Sequence, residues 1–269
     1  MNQSFWKMHG AGNDFILIDD RNLNFPDQDN DLIERLAMPK YGIGSEGVIL
    51  IQPSETADFR MRFYNPDGSE VEMCGNGARC VARLAHEIGV APKSMTFDTV
   101  AGVIAADILS EDHVRLTMTT PKDLQLHAEI DLQDQTLSYH FVNSGVPHVV
   151  VEMDNLAELD IQSFGAAIRY HEAFQPKGTN ANFIQITGPD SLTVRTYERG
   201  VEAETLACGT GMVACGLIAG SLGKVSTPVK VTCASGDILE IDYEQTENGP
   251  EHVTLTGPAL HVFKGEIRI

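Results

Sequence analysis

The chain has 269 residues, 42% of them hydrophobic, which suits one large domain or two of ordinary size with well-buried cores. Its formal net charge of −19, with no run of Lys and Arg, excludes a nucleic-acid partner held through phosphates. The opening MNQSFWKMHGAGNDF lacks the apolar core of a signal peptide, and the longest apolar-rich run, near GMVACGLIAG, is too short to span a bilayer, so a cytoplasmic protein with no membrane partner is expected.

In chain order, FILIDD, GVILIQ and FRMRFYN read as strands, short and rich in β-branched and aromatic residues. NGARCVARLAHEIG reads as a helix, with Cys80, Leu84 and Ile88 on one face and Gly89 as its stop. The strands MTFDTV, VIAADIL and HVRLTMT follow, and then FVNSG, HVVVEM, NFIQIT and LTVRTYE. TGMVACGLIAGSLG is a helix apolar nearly all round, stopped by Gly223, a pattern that marks a buried helix. VKVTCA, DILEIDY and HVTLT complete the strands.

Segments recur in one order in both halves. GAGNDFILID (10–19) is echoed by NSGVPHVVVE (143–152), and PKYGIGSEGVILIQ (39–52) by PKGTNANFIQIT (176–187). RFYNPDGSEVEMCGNG (62–77) is echoed by RTYERGVEAETLACGTG (195–211), and HVRLTMTTP by HVTLTGPA. Matches in register argue for an internal duplication with a boundary near Pro121. Two similar domains facing each other are expected, each with many strands around one central helix.

Of the five cysteines (Cys74, Cys80, Cys208, Cys215 and Cys233), none forms a C-x-x-C pair, and in a cytosolic protein they read as thiols, metal ligands or nucleophiles rather than disulfides. Cys80, Cys215 and Cys233 read as core residues. Cys74 and Cys208 differ because each precedes Gly-x-Gly at a helix start. There the helix dipole eases thiol ionisation, and the exposed amides can receive a carboxylate. Two such thiols flanking one anion site suit inversion at an amino-acid α-carbon, one removing the α-proton and the other returning a proton to the opposite face. Taken alone, the histidine of GVPHVV reads as structural, and Asn13 and Asn180 as turn residues.

GAGNDF, GIGSEGVI, NPDGSEVEMCGNGARC, GTNANF and ERGVEAETLACGTG together resemble the signatures of the diaminopimelate epimerase family almost end to end. The resemblance implies an α+β fold of two pseudo-symmetric domains from an internal duplication, each a β-barrel-like sheet around a central helix, with the active site in the cleft between them. The domains expected are 1–120, joined by the C-terminal residues 262–269 and carrying Cys74, and 121–261, carrying Cys208. The implied reaction interconverts LL- and meso-diaminopimelate without pyridoxal phosphate, with no cofactor and no metal, in a homodimer whose only other partner is its small amino-acid substrate.

By similarity Cys74 and Cys208 are the acid/base residues. Gly75, Asn76, Gly209 and Thr210 offer backbone amides to the reacting carboxylate. Asn13, Asn65, Asn180, Glu198 and Arg199 hold the amino and distal groups, and His148 supports the cysteines with Glu198. Val146 stands where many members carry Asn, and Met38, Pro39 and Lys40 replace a frequent Cys-Asp-Arg. The competing readings are a racemase of the same superfamily acting on histidine, proline or hydroxyproline, a thiol–disulfide or metal-binding protein, and a non-catalytic anion-binding domain.

Overall fold

The computed structural model describes residues 2–132, 135–247 and 249–269. The chain forms two compact units, Met1–Leu116 with Gly257–Ile269, and Thr117–Thr256.

In the first unit Asn2–Gly10 and Asn13–Asp19 form an antiparallel hairpin. Asn13–Asp19 runs parallel to Val48–Gln52, which pairs antiparallel with Phe59–Tyr64. Phe59–Tyr64 then takes Glu70–Val71 antiparallel and Ser94–Thr99 parallel, and Gly102–Ile108 and His113–Thr117 follow antiparallel. The outer side of Asn2–Gly10 is covered by Leu260–Arg268, from the far end of the chain.

The second unit repeats this order. Gln135–Asn143 and Pro147–Glu152 form the hairpin, Asn180–Gly188 is parallel to it, and Ser191–Glu198 is antiparallel. Ser191–Glu198 then takes Ala203–Thr205 antiparallel and Val229–Thr232 parallel, and Ile238–Thr246 and Gly249–Pro258 close the series. The outer side of Gln135–Asn143 is covered by Lys122–Leu132, which follows the first repeat directly. The duplication read from the sequence is therefore present strand by strand, and the fold is α+β as expected.

The inner strands of each sheet are buried on both faces, so they read as near-continuous apolar runs such as VILIQ, while outer strands such as His113–Thr117 alternate buried and exposed residues. Alternate residues divide the work. In the first unit Ile16, Ile18, Val48 and Leu50 pack with Leu32, Ile33 and Leu36 of helix α1 (Asn30–Ala37). The opposite face holds helix α2 (Gly75–Glu87), which touches five of the strands. In the second unit Val149, Val151, Ala181 and Phe183 pack under α3 (Ile161–Arg169), and α4 (Gly209–Ser221) lies inside the sheet's curve. Gly89 and Gly223 stop α2 and α4 with φ of 72° and 70°, a conformation that favours glycine.

Among the described residues, five strands and two α-helices escape the sequence reading, the short Glu70–Val71 and Ala203–Thr205 among them. Lys122–Leu132 buries only Ile130 and Leu132, and its Lys, Gln, His and Glu residues mask the alternation. Asn2–Gly10 and Leu260–Arg268 pair with each other across the length of the chain. α1 and α3 are shorter than the window in which helical periodicity stands out. Their signals are the capping residues Asp29 and Asp160, which accept from Leu32 N and Ser163 N at 3.0 and 3.2 Å. FVNSG is only the end of the longer strand Gln135–Asn143.

Candidate active site

Each unit delivers a cysteine to a helix start by the same device. In the first, Arg62 grips Glu70 with two hydrogen bonds of 2.8 Å each. In the second, Arg195 grips Glu204 at 2.7 and 2.8 Å. Such forked pairs fix geometry as well as charge. Each carboxylate lies four residues before the cysteine, so each bridge pins the short strand that leads to it.

Cys74 and Cys208 then occupy the N-cap positions of α2 and α4 in extended conformation. The first intrahelical bonds run from Ala78 N to Cys74 O (2.8 Å) and from Met212 N to Cys208 O (2.9 Å). The amides of Gly75 and Asn76, and of Gly209 and Thr210, therefore have no acceptor within their own helices. Cys80, Cys215 and Cys233 differ in kind. Burial pushes the Cys80 thiol up to about 12 and raises Cys215 and Cys233 too, which keeps them protonated and inert.

In the first unit the α2 start is braced by Arg79, a fully buried residue that the sequence reading missed. Its Nε donates to Pro258 O at 3.1 Å, its Nη2 to Asn76 Oδ1 at 2.9 Å and its Nη1 to Gly75 O at 3.4 Å. Asn76 thus engages its side-chain oxygen with Arg79. Asn13 Oδ1 is buried and meets no donor. A buried acceptor in that state is suited to an incoming N–H group. Asn65 closes its own turn, with its N donating to Ser69 O at 2.9 Å.

The second unit gathers His148, Asn180, Glu198, Arg199 and Thr210 near Cys208. Glu198 Oε2 accepts from Thr205 Oγ1 at 2.7 Å. Burial raises the Glu198 carboxyl above the usual range, opposed by hydrogen bonds from Thr205 and from the Cys208 thiol. Asn180 is fully used in positioning: Nδ2 donates to Pro147 O (3.1 Å) and Oδ1 accepts from Arg199 N (2.8 Å). Arg199 is partly exposed and anchored by Nη1 on Lys177 O (3.0 Å). Val146 is half-buried beside Pro147. His148 Nε2 meets Thr210 Oγ1 at 3.0 Å, and Thr210 Oγ1 lies 3.7 Å from Cys208 Sγ. Its Nδ1 meets Asn182 Nδ2 at 3.1 Å. Asn182 was also missed; its signal was a second Asn two positions after Asn180, on the same strand face.

Burial, with Arg199 nearby, drives the His148 ring down to about 3. The ring is therefore neutral throughout the working range. In the unfolded chain an ordinary histidine takes up a proton below about 6.5. Between about 6.5 and 3 the unfolded state binds more protons, so stability falls as pH falls through that window. Urea unfolding of His148→Asn from pH 7 to pH 4 is expected to show a shallower loss than the wild type, by up to about 1.4 kcal/mol per pH unit. Parallel curves would mean that another group carries the acid sensitivity.

The model of the diaminopimelate epimerase family matches residues 5–124 and 140–262. A diaminopimelate epimerase of Hydrogenobaculum sp. (strain Y04AAS1) is 44% identical, over 96% of each chain. One from Aquifex aeolicus is 40% identical, over 98% of this chain and 97% of its own. Among solved structures, a Bacillus anthracis phenazine biosynthesis protein of the PhzF family shares the fold with a TM-score of 0.76 at 16% identity, each chain covered in full. A hydroxyproline epimerase from Agrobacterium vitis, solved with trans-4-hydroxy-L-proline, gives 0.72 at 17%, over 99% of this chain and 92% of its own. With the matched cysteine caps in both repeats and relatives of this identity along nearly the whole length, the chain belongs to the diaminopimelate epimerase family.

Proposed function

We propose that this protein is a cofactor-independent epimerase that interconverts LL- and meso-2,6-diaminopimelate, with Cys74 and Cys208 as its acid/base pair. One thiolate takes the α-proton and becomes a thiol. Negative charge then moves into the carboxylate, where the amides of Gly75, Asn76, Gly209 and Thr210 oppose it. The other thiol gives its proton to the opposite face of the carbon and becomes a thiolate. Protons and charge balance over the cycle, so no cofactor is needed.

The observation that carries this reading is the repeated device itself. Two units of the same topology each use an Arg–Glu fork to set a cysteine at the N-cap of a buried helix. The remaining groups suit a substrate with two amino-acid heads. Asn13 Oδ1 can accept from an ammonium, and Arg199 can meet a carboxylate with its remaining donors. Asn180 braces the backbone amide of Arg199, Asn65 is assigned to the substrate with them, and Glu198 and His148 set the protonation around Cys208. In the same reading the enzyme is a cytoplasmic homodimer and supplies lysine and cell-wall precursors.

The test is incubation with LL-diaminopimelate in D₂O, under reducing conditions and with nothing added. Deuterium is expected at one α-carbon as the isomer ratio moves to equilibrium. Inversion without deuterium uptake would overturn the proton-transfer chemistry. Turnover of proline or hydroxyproline in place of diaminopimelate would reassign the substrate.

A further inference from the structure

We propose that Asn182 is a positioning residue for Cys208, acting through His148 and Thr210 to fix the direction of a hydrogen-bond chain that ends on the Cys208 sulfur. The inference rests on the reading of Cys208 as an acid/base group.

The direction follows from one carbonyl. Asn182 is fully buried in Asn180–Gly188, and one end of its amide lies 2.8 Å from Val149 O. A carbonyl only accepts, so that end is the nitrogen. The other end accepts from Thr196 Oγ1 at 3.0 Å, which agrees. The second N–H of the amide then points at His148 Nδ1, 3.1 Å away. Nδ1 must present its lone pair, so the ring hydrogen of a neutral His148 sits on Nε2. Nε2–H donates to Thr210 Oγ1 at 3.0 Å. With that acceptor site filled, the Thr210 hydroxyl turns its own hydrogen to Cys208 Sγ at 3.7 Å. Ser144 Oγ, donating to Thr210 O at 2.8 Å, holds the backbone of this residue in place.

Gly211 admits this arrangement. A Cβ there would lie 2.6 Å from Asn182 Oδ1 and 3.4 Å from Cys208 Sγ. Any larger residue would push Asn182 away from the helix start.

Among the described residues, ionisable groups near the sulfur include Glu198 on Ser191–Glu198, His148 on Pro147–Glu152, and Cys215 further along α4, with Arg199 acting on His148. Glu198 accepts from the thiol on the opposite side to the Thr210 donor chain in chemical terms: one partner takes a proton from sulfur, the other supplies a hydrogen bond to it. When the S–H proton passes to the Glu198 carboxylate, sulfur becomes the anion and the Thr210 hydroxyl stabilises it.

The test reads the thiol itself. Alkylation of Cys208 by iodoacetamide is followed by peptide mass spectrometry across pH in the full chain. Thr210→Val is expected to move the Cys208 midpoint up by about one pH unit, the size of one hydrogen bond to a charged group. Thr210→Ser restores it. Asn182→Asp behaves like Thr210→Val, because an aspartate accepts from His148 and reverses the chain. Buried Cys80 and Cys215 remaining unalkylated reports an intact fold. Nitrogen-15 shifts of the wild-type ring should show Nδ1 without a proton at pH 7. An unchanged midpoint in folded Thr210→Val, or a protonated Nδ1, overturns the proposal. A wild type that shows the expected midpoint shifts but does not turn over diaminopimelate would sink the functional reading and leave this one standing.

Discussion

Cys74→Ala and Cys208→Ala are each expected to lower kcat for epimerisation by about 10²–10⁴-fold, the usual contribution of a positioned proton-transfer group. Inversion needs a group on each face of the carbon, so either loss alone stops the cycle, and the double variant should be little worse than each single one. Cys74 is partly exposed and Cys208 is buried, but each stands at the N-cap of its helix and Cys→Ala removes a single sulfur. The fold should survive in both, with a circular dichroism spectrum like that of the wild type. Cys80→Ala provides the contrast. It removes a fully buried thiol held in its protonated form, so it should cost stability and leave kcat within a few-fold. Near-normal kcat in either N-cap variant would end the two-thiol mechanism.

Arg79→Ala is expected to have the largest effect on stability, about 3–5 kcal/mol in urea unfolding. The side chain is fully buried, and its removal takes the donors away from Pro258 O and Asn76 Oδ1 while opening a cavity. The same change loosens the start of α2, so kcat should fall even under conditions where the variant is fully folded. Arg79→Lys keeps the charge but cannot serve three acceptors in a plane, so it should recover only part of the loss. A destabilisation under about 1 kcal/mol would mean that water replaces the guanidinium at those acceptors.

The duplication was legible because it is written in residues with narrow roles. Cys-Gly-x-Gly, the helix behind it and the strands before it recur with nearly the same spacing, and the structure repeats the pairings in the same order. α4 was legible as buried because it is apolar on every side. α2 was harder: it buries Arg79 and Arg83 as well as Cys80 and Leu84, and a helix with two arginines reads as half-exposed. What makes those arginines tolerable inside is a pair of carbonyls, Pro258 O for Arg79 and Ala259 O for Arg83, far along the chain. Asn182 was hidden for a similar reason. Its role depends on Val149, His148 and Thr196, which meet it only after the strands pair. Local pattern shows which residues are special; the partners that make them so come from tertiary pairing.

The outer strand of the first unit has a consequence for how the protein is made. Thr117–Thr256 is continuous and holds all its strands once residue 256 has cleared the ribosome. The earlier-synthesised unit cannot finish first. Until residues 257–268 arrive, Asn2–Gly10 presents a bare edge to any other strand nearby, and α2 lacks the carbonyls of Pro258 and Ala259 that its buried arginines meet. The first unit therefore waits on residues 257–268, which are made after the second unit. A variant lacking Leu260–Arg268 would leave the second unit whole and bare the outer edge of Asn2–Gly10.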